Sequence, residues 1–362
     1  MKFSCLKNEL KKAMKPLDKL AGIFKQEPLK IVVRAEESVM MEMNISNYQM
    51  KGRLLTAEIQ EVGAVCVDYE ELQQLLKKIR RNILLSFRMI QQPEGVKLAV
   101  VTPEGEIHTL NAQGMNSNQE IEEVQPILNV SMDEFWPAIL QMSRVVPKKH
   151  VMESFTKLKW VVSSSDIRLV AINQTELAIH HFQSLIAEVP QIFYLSATTL
   201  DHFKKCLSGV VDARLMIETT ESRLKISGES VEFWLPIERG ANIPVEKLVT
   251  RQVQKYSFSL SAWKEQIDRE IDQEEQLGSG LTPKDLIYQP QLIENSLQLL
   301  RVESMATVGG FTAQEFLRIF KQETDDQWQC WLPQTGTPMI AFVKKNATST
   351  LYLYLLTTGL SL

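Results

Sequence analysis

The sequence predicts an α+β fold of three similar domains, each with two helices packed on antiparallel sheets. Three observations predict it. One kind of amphipathic helix recurs at 67–79 (VDYEELQQLLKKI), 196–210 (SATTLDHFKKCLSGV) and 312–323 (TAQEFLRIFKQE). A second kind recurs at 3–21, 128–146 and 256–271. Each follows a short strand-like run, and the first kind leads into alternating β-like sequence. The repeat is about 120 residues long, an ordinary domain size. Polar stretches at 116–126 and 240–254 mark its seams, so the expected domains are 1–123, 124–251 and 252–362.

In the first helix Leu6, Leu10, Met14, Leu17 and Ala21 recur at helical spacing, after the strand Phe3-Ser4-Cys5. The second has Leu72, Leu75 and Ile79 as its core stripe. Its Asp68 and Glu71 make a capping-box pattern, in which two side chains satisfy orphan backbone N–H groups. NILLSFRM and GVKLAVVT, joined by QQPEG, read as a hairpin. The third helix follows Leu128-Asn129-Val130 and opens with Ser131 and Glu134 in the same capping pattern. The fourth carries Leu200, Phe203 and Leu207, and ARLMIETTESRLKISG after it turns at TTES. The fifth, after Tyr256-Ser257-Phe258, carries Trp263, Ile267 and Ile271. The sixth pairs Thr312 with Glu315 as its cap. Phe316, Ile319 and Phe320 form its stripe, and MIAFVKK and STLYLYLL follow.

No apolar run reaches the roughly 18–20 residues of a transmembrane helix. The Lys-interrupted N-terminus has no apolar core of a secretory signal. A cytoplasmic protein without membrane contact is therefore expected. Cys5, Cys66, Cys206 and Cys330 are scattered and show no CxxC spacing, which predicts buried free thiols. None of His108, His150, His180, His181 and His202 pairs with Cys or a carboxylate at metal-ligand spacing. There is no phosphate-cradling glycine loop and no nucleophile elbow. Asp268 with Asp272, and Glu274 with Glu275, read as a solvated helix face. The sequence supports no enzyme, and neither a metal nor a cofactor is expected.

Charge is what the helices do offer. The net charge is −4, yet residues 1–100 carry a basic excess of about five and residues 252–362 an acidic excess of about four. Such ends favour head-to-tail association of two copies. Lys7, Lys11 and Lys15 form an i, i+4, i+8 stripe, flanked by Lys12 and Lys19. Later helices add Lys77, Lys78, Arg80 and Arg81, then Lys204 and Lys205, then Arg318 and Lys321. A loop adds Lys148 and Lys149. Side chains of this kind contact phosphates and do not distinguish bases. Without interleaved aromatics for stacking on single strands, they point to non-sequence-specific attraction to duplex DNA.

The order of these segments resembles the bacterial DNA polymerase III beta sliding clamp over essentially the full chain. MKFSCLKNELKKAMKPL resembles the clamp's opening strand and helix. IRLVAINQTELAI, from Ile167, is similar to its motif L-x-x-V-A-T-D-G-H-R-L-A. ISGESVEFWLPIERGANIP resembles the strand before the linker G-x-F-P-D-Y, GGFTAQEFLRIFK the last helix and TLYLYLLTTGL the closing strand. The resemblance implies the DNA-clamp fold in a ring-forming homodimer. Two subunits would close head to tail, with helices lining the hole and sheets outside. The clamp catalyses nothing and raises polymerase processivity through effective concentration.

The resemblance also implies three sites. For DNA, Lys25 and Lys149 fall near family contact positions and join Lys7, Lys11, Lys15, Lys77, Lys148, Lys204 and Lys205 of the basic surfaces as the expected contacts, whereas Glu70 replaces a family basic residue. Peptides of polymerases and the clamp loader would enter a pocket of Phe155, Ile172, Gln174, Thr175, Leu177, Pro244, Leu248 and Leu360. The family's T-D-G-H-R-L is here Ile172 to Leu177 with only Leu177 kept, which implies a different pocket shape. The subunit interface would use Ile107, Thr109 and Leu110 of one copy, and Ile267 and Ile271 of the other. Thr109 stands where a bulky apolar residue is usual, which removes apolar burial. The expected function is a nucleoid-associated cytoplasmic sliding clamp. The alternative is a clamp-fold interaction scaffold, with altered partners and no closed ring around DNA. A nucleic-acid enzyme is disfavoured by the missing acid/base and metal clusters.

Overall fold

A computed structural model describes residues 1–115, 122–149, 153–183, 186–240, 253–294, 296–302, 310–321, 323–324, 327–333, 339–346 and 349–356, with the backbone alone at Ser154, Pro333, Met339 and Leu356. The elements run β1 (Lys2–Leu6), α1 (Lys7–Ile23), β2 (Lys30–Ala35), β3 (Val39–Ile45), β4 (Tyr48–Leu54), β5 (Glu58–Glu61), β6 (Gly63–Asp68), α2 (Tyr69–Lys78), β7 (Leu84–Gln92), β8 (Gly95–Val101), β9 (Ile107–Met115). Then come β10 (Gln125–Ser131), α3 (Met132–Val145), β11 (Lys157–Val162), β12 (Asp166–Ile172), β13 (Glu176–Gln183), β14 (Gln191–Ser196), α4 (Ala197–Leu207), β15 (Arg214–Thr219), β16 (Arg223–Ser227), β17 (Val231–Pro236). The last are β18 (Val253–Ser257), α5 (Leu260–Leu277), β19 (Ile287–Ile293), β20 (Ser296–Val302), β21 (Phe311–Thr312), α6 (Ala313–Ile319), β22 (Trp328–Pro333), β23 (Met339–Lys345) and β24 (Ser349–Leu356). All six expected helices form, and each comes directly or within two residues after a strand.

The caps explain where the helices start. Asp68 accepts the Glu71 N–H (3.0 Å), Ser196 the Thr199 N–H (3.1 Å) and Ser259 the Ala262 N–H (3.2 Å). At α6 the box is reciprocal. Thr312 accepts the Glu315 N–H (3.2 Å), and the Glu315 carboxylate accepts the Thr312 N–H (2.9 Å). α1 has Leu6 at its N-cap and no side-chain cap of its own. The loop after α2 serves instead: Asn82 accepts the Asn8 N–H (3.0 Å), and the Ile83 carbonyl accepts the Lys7 N–H (3.0 Å). α5 ends on Gly278 at φ 62°, the left-handed conformation that glycine adopts without strain.

The chain forms two compact units. The first is Met1–Leu140, Ser163–Ser165 and Ser184–Arg239; the second is Gln141–Val162, Asp166–Gln183 and Gly240–Leu362. In the first unit one antiparallel sheet runs β10-β15-β16-β17-β4-β3-β2-β6-β9-β8-β7-β1-β5. Between its fourth and fifth strands β17 joins β4 in the register Val231↔Gly52 to Trp234↔Gln49. α1 lies so close on β4 that a Cβ on Gly52 would sit 1.9 Å from the Ala13 carbonyl oxygen; only glycine fits. Leu10, Met14, Leu17 and Ala21 of α1 are buried as expected. Leu6 is 43% exposed and leaves that stripe, because it ends β1 rather than starting the helix. Cys5, Cys206 and Cys330 are buried free thiols, and burial pushes Cys5 and Cys206 up to about 12. Cys66 is only half-buried, short of the expectation.

The second unit carries β11-β12-β13-β24-β23-β22-β18 in that order, with a small sheet β20-β19-β21. Its core is aromatic. Phe342 of β23 meets Phe320 (5.2 Å), Phe316 (5.8 Å) and Phe311 (5.8 Å) around α6, and Trp263 of α5 (6.4 Å). Each buried ring contributes about 2 kcal/mol through area removed from water. No described helix is long and apolar enough to cross a membrane.

Candidate functional site

The basic residues of the first unit converge on a groove between α1 and α2. Lys11, Lys12, Lys15 and Lys77 line it, over Met14 and Leu76, in a cleft of about 410 Å³. Asp18 holds the two helices together by accepting from Tyr69 Oη (2.6 Å) and Gln73 Nε2 (2.7 Å). Lys12 is paired with Glu9 at 2.9 Å. Lys11, Lys15 and Lys77 are exposed, so α1 brings two cations to the groove and α2 a third. Lys25 is exposed just past α1. On α4, Lys205 is exposed, and Lys204 pairs with Asp201 at 3.1 Å. Lys148 and Lys149 are exposed in the second unit.

Lys7 does not belong with them. It is 4% exposed, and its Nζ donates to the Ile79 carbonyl at the end of α2. It fills an orphan acceptor of that helix and faces inward. The helical spacing of Lys7, Lys11 and Lys15 conceals this, because residue 7 is the first of its helix.

The second unit holds an apolar pocket built around the β12–β13 turn. Asn173 Oδ1 accepts the N–H groups of Thr175 (2.8 Å) and Glu176 (2.9 Å), which folds the turn on itself. Asn173 Nδ2 donates to the Val145 carbonyl at the end of α3 (3.1 Å) and to Glu176 Oε2 (3.3 Å). Arg318 of α6 donates to Glu176 Oε1. Burial raises the Glu176 pKa, Arg318 and Asn173 oppose that, and Glu315 adds to it. Between them lies a cavity of about 20 Å³. α3 contributes Arg144 and Val145, α6 Ile319, and the strands Leu177, Leu353 and Tyr354.

Of the expected pocket residues that are described, only Leu177 lines this cavity; Phe155 and Ile172 pack with it in the buried core. They share one buried cluster with Val170, Ile179, Val343 and Tyr354. Gln174 is exposed on the turn and Thr175 is half-buried. Pro244, Leu248 and Leu360 lie outside the described residues. Sequence reasoning missed Arg144, Tyr354 and the Glu176–Arg318 pair. The alternation Tyr352, Leu353, Tyr354 does place both tyrosines on one strand face, and their rings stack at 6.3 Å. Nothing local signals a pair 142 residues apart.

For self-association, residues 112–115 of β9 pair with β6, which leaves 107–111 bonded to β8 alone among the described residues. Ile107 is 66% exposed and Thr109 is exposed, whereas Leu110 is buried. β20 likewise pairs with β19 alone among the described residues. Ile267 is fully buried in its own unit and is not a surface residue; its position faces the core, together with Trp263. Ile271, one turn later, is half-buried. The exposed side of α5 carries Glu265, Asp268, Asp272 and Glu275. Among the described residues, no group of three or more His, Cys, Asp and Glu is placed to hold a metal ion.

No protein-family model matches the sequence, and no curated protein matches it. Solved structures do. The DNA polymerase III subunit beta of Pseudomonas aeruginosa matches with a TM-score of 0.69 at 16% identity, over 98% of this chain and all (100%) of that one. The beta subunit of the DNA polymerase of Streptococcus pyogenes gives 0.71 at 9%, over 98% and 99%. The Helicobacter pylori beta clamp, bound to a DNA ligase peptide, gives 0.69 at 12%, over 98% and 100%. The chain has the beta-clamp fold. At these identities the likeness is one of fold. The clamp fold accounts for the six strand-helix steps and the long antiparallel sheets. The basic groove and the Glu176–Arg318 pair are features of this chain's own residues.

Proposed function

We propose that the chain is a sliding clamp. Two copies close head to tail around duplex DNA and tether a DNA polymerase, with no reaction of their own. The observation that carries this reading is the clamp fold over 98% of the chain. The domains are 1–123, 124–251 and 252–362, repeats of one pattern. Lys11, Lys15, Lys77, Lys205 and their neighbours supply a mild, sequence-independent attraction to phosphates. Closure joins the edge of β9 at 107–111 to the edge of β20 that pairs with no other described strand, with acidic α5 drawn to the basic end of the other copy. The pocket lined by Leu177, Ile319, Leu353 and Tyr354 takes an apolar peptide of the polymerase or loader; the Helicobacter pylori clamp, of the same fold, was solved bound to a DNA ligase peptide.

A second reading, a clamp-fold scaffold without a closed ring, is favoured by one observation. With Ile267 inside its own unit, exposed Ile107 loses an apolar counterpart. Light scattering over a dilution series separates the two. The chain is 41.4 kDa; a mass of ~83 kDa supports the ring, and a monomer at every concentration supports the scaffold. Retention on closed circular DNA, lost on linearisation, then tests encirclement. Equal retention on both forms refutes it.

A further inference from the structure

His202 stands where the end of α1 meets α4, half-buried in the first unit. Its ring is set edge-on to two others, Phe24 just past α1 (5.5 Å) and Tyr48 at the start of β4 (5.3 Å). Nδ1 lies 3.0 Å from Tyr48 Oη, and Tyr48 Oη donates to Thr199 Oγ1 (3.4 Å). Nδ1 therefore carries a hydrogen and donates to the phenol oxygen. Thr199 in turn shares a hydroxyl bond with Ser196 (2.9 Å), the cap of α4. This chain fixes the ring and its tautomer, and no described residue takes up Nε2. Exposed lysines gather there. Lys205, further along α4, acts on the ring directly. Lys25 follows Phe24, and the Lys19 side chain lies 3.6 Å from where a Cβ on Gly209 would sit, just past α4. Asp201 is the carboxylate that acts on the ring, and Lys204 pairs with it at 3.1 Å. Cys206 is a buried thiol pushed up to about 12 and stays neutral.

We infer that this seam is a phosphate site, in which His202 Nε2–H donates to a phosphate oxygen beside Lys25 and Lys205, and the anion is bound together with a proton. In the free protein burial first, then Lys205, hold the ring below its ordinary 6.5, so it is neutral near pH 7. With its hydrogen on Nδ1, neutral imidazole shows an anion only the lone pair of Nε2, which repels it. The imidazolium offers a charge-assisted donor instead, so a bound anion raises the pKa. Affinity is then greatest at low pH and declines as pH rises through the bound value. The lysines titrate far above this window and keep their charge throughout. The phosphate is one of a duplex backbone, since Lys11 and Lys15 extend the basic surface along the same α1. That source rests on the sliding-clamp reading, whereas the anion chemistry stands without it.

The test is a salt titration of binding to a labelled duplex, read by fluorescence anisotropy at pH 5 and pH 8, either side of the range in which histidine titrates. In wild type the slope of log affinity against log salt should be steeper at pH 5 by about 0.9, one more phosphate neutralised. His202→Gln, which carries no charge at either pH, should show one slope. Thermal melting establishes that the variant is folded. NMR of histidine-labelled wild type adds a second reading that needs no variant to bind: inorganic phosphate should raise the His202 pKa. Equal slopes in wild type at the two pH values, or the same steepening in His202→Gln, overturns the seam as a duplex contact and leaves the clamp reading standing. No duplex binding at either pH, with inorganic phosphate still raising the His202 pKa, overturns the clamp reading and keeps the phosphate site. No duplex binding and no response of His202 to phosphate overturns both.

Discussion

His180 gives the sharpest test of the burial described for the second unit. It sits in the middle of β13, opposite Leu169 of β12 and Leu351 of β24. It is 5% exposed, Phe182 lies 4.5 Å from its ring, and neither ring nitrogen has a hydrogen-bond partner among the described residues. Burial, with a smaller push from His181, drags its pKa down to about 3. A base with a depressed folded pKa gives full stability above its unfolded value, near 6.5, and loses it as pH falls towards 3. At pH 5 the unfolded imidazole is about 1.5 units below its pKa and almost fully charged, while the folded one is neutral. At about 1.36 kcal/mol per unit, moving from pH 7.5 to pH 5 costs about 2 kcal/mol through this one ring. His180→Leu removes that slope. It also removes a buried unsatisfied donor, so it should match or exceed wild type at pH 7.5 by about 1 kcal/mol. Urea unfolding followed by tryptophan fluorescence at both pH values reads the difference. Equal losses for wild type and variant would show that the ring is partnered or titrates normally, and the reasoning would fail.

Three further outcomes are expected. Lys11, Lys15 and Lys77 changed together to Glu should weaken duplex-DNA association and flatten its salt dependence, by a slope of about 0.9 for each phosphate no longer neutralised; an unchanged salt titration would remove the groove from the DNA surface. Gly52→Ala should cost about 3 kcal/mol in urea unfolding, since α1 must move off β4; a neutral result would mean that the approach is looser. Burial alone would raise the Glu232 pKa, but bonds from Lys51 and Trp234 and the charge of Lys225 outweigh it and hold it below the usual value. Its stabilisation is therefore present above pH 4.5 and lost as pH falls through the folded pKa. Glu232→Gln should flatten the acid limb of stability, at a cost of about 1 kcal/mol near neutrality; an unaltered acid limb would show that Lys51 gives the carboxylate no advantage.

The helices were legible because each carries its own signals. The stripes of Leu72 and Leu75, or of Phe316 and Ile319, and the caps at Asp68 and Thr312, are local, and the structure keeps them. What escaped is what depends on distant partners. The pairing of β17 with β4 joins residues about 180 positions apart, and strand alternation says which face is buried, not which strand lies beside it. Lys7 and Ile267 were misplaced for one reason. Periodicity gives a helix its faces but not its depth, so a cation at the first position and an interface candidate in the stripe both turned inward. The pocket was barely legible. Of its apolar lining only Leu177 was read from the chain; Val145, Ile319, Leu353 and Tyr354 come from distant elements, and Glu176 gains its meaning from a guanidinium 142 residues away.

The β17–β4 join also has a mechanical consequence. The neighbouring repeats of the first unit meet through backbone hydrogen bonds, splinted by α1 packed against α4 on one side. On the strands, Lys51, Glu232, Lys225 and Glu218 form a ladder of alternating charge, with separations of 2.7, 3.9 and 2.8 Å. Bending there would break a row of directional bonds at once, whereas a side-chain interface yields piece by piece. The sheet of the first unit therefore resists bending at this join as one stiff element.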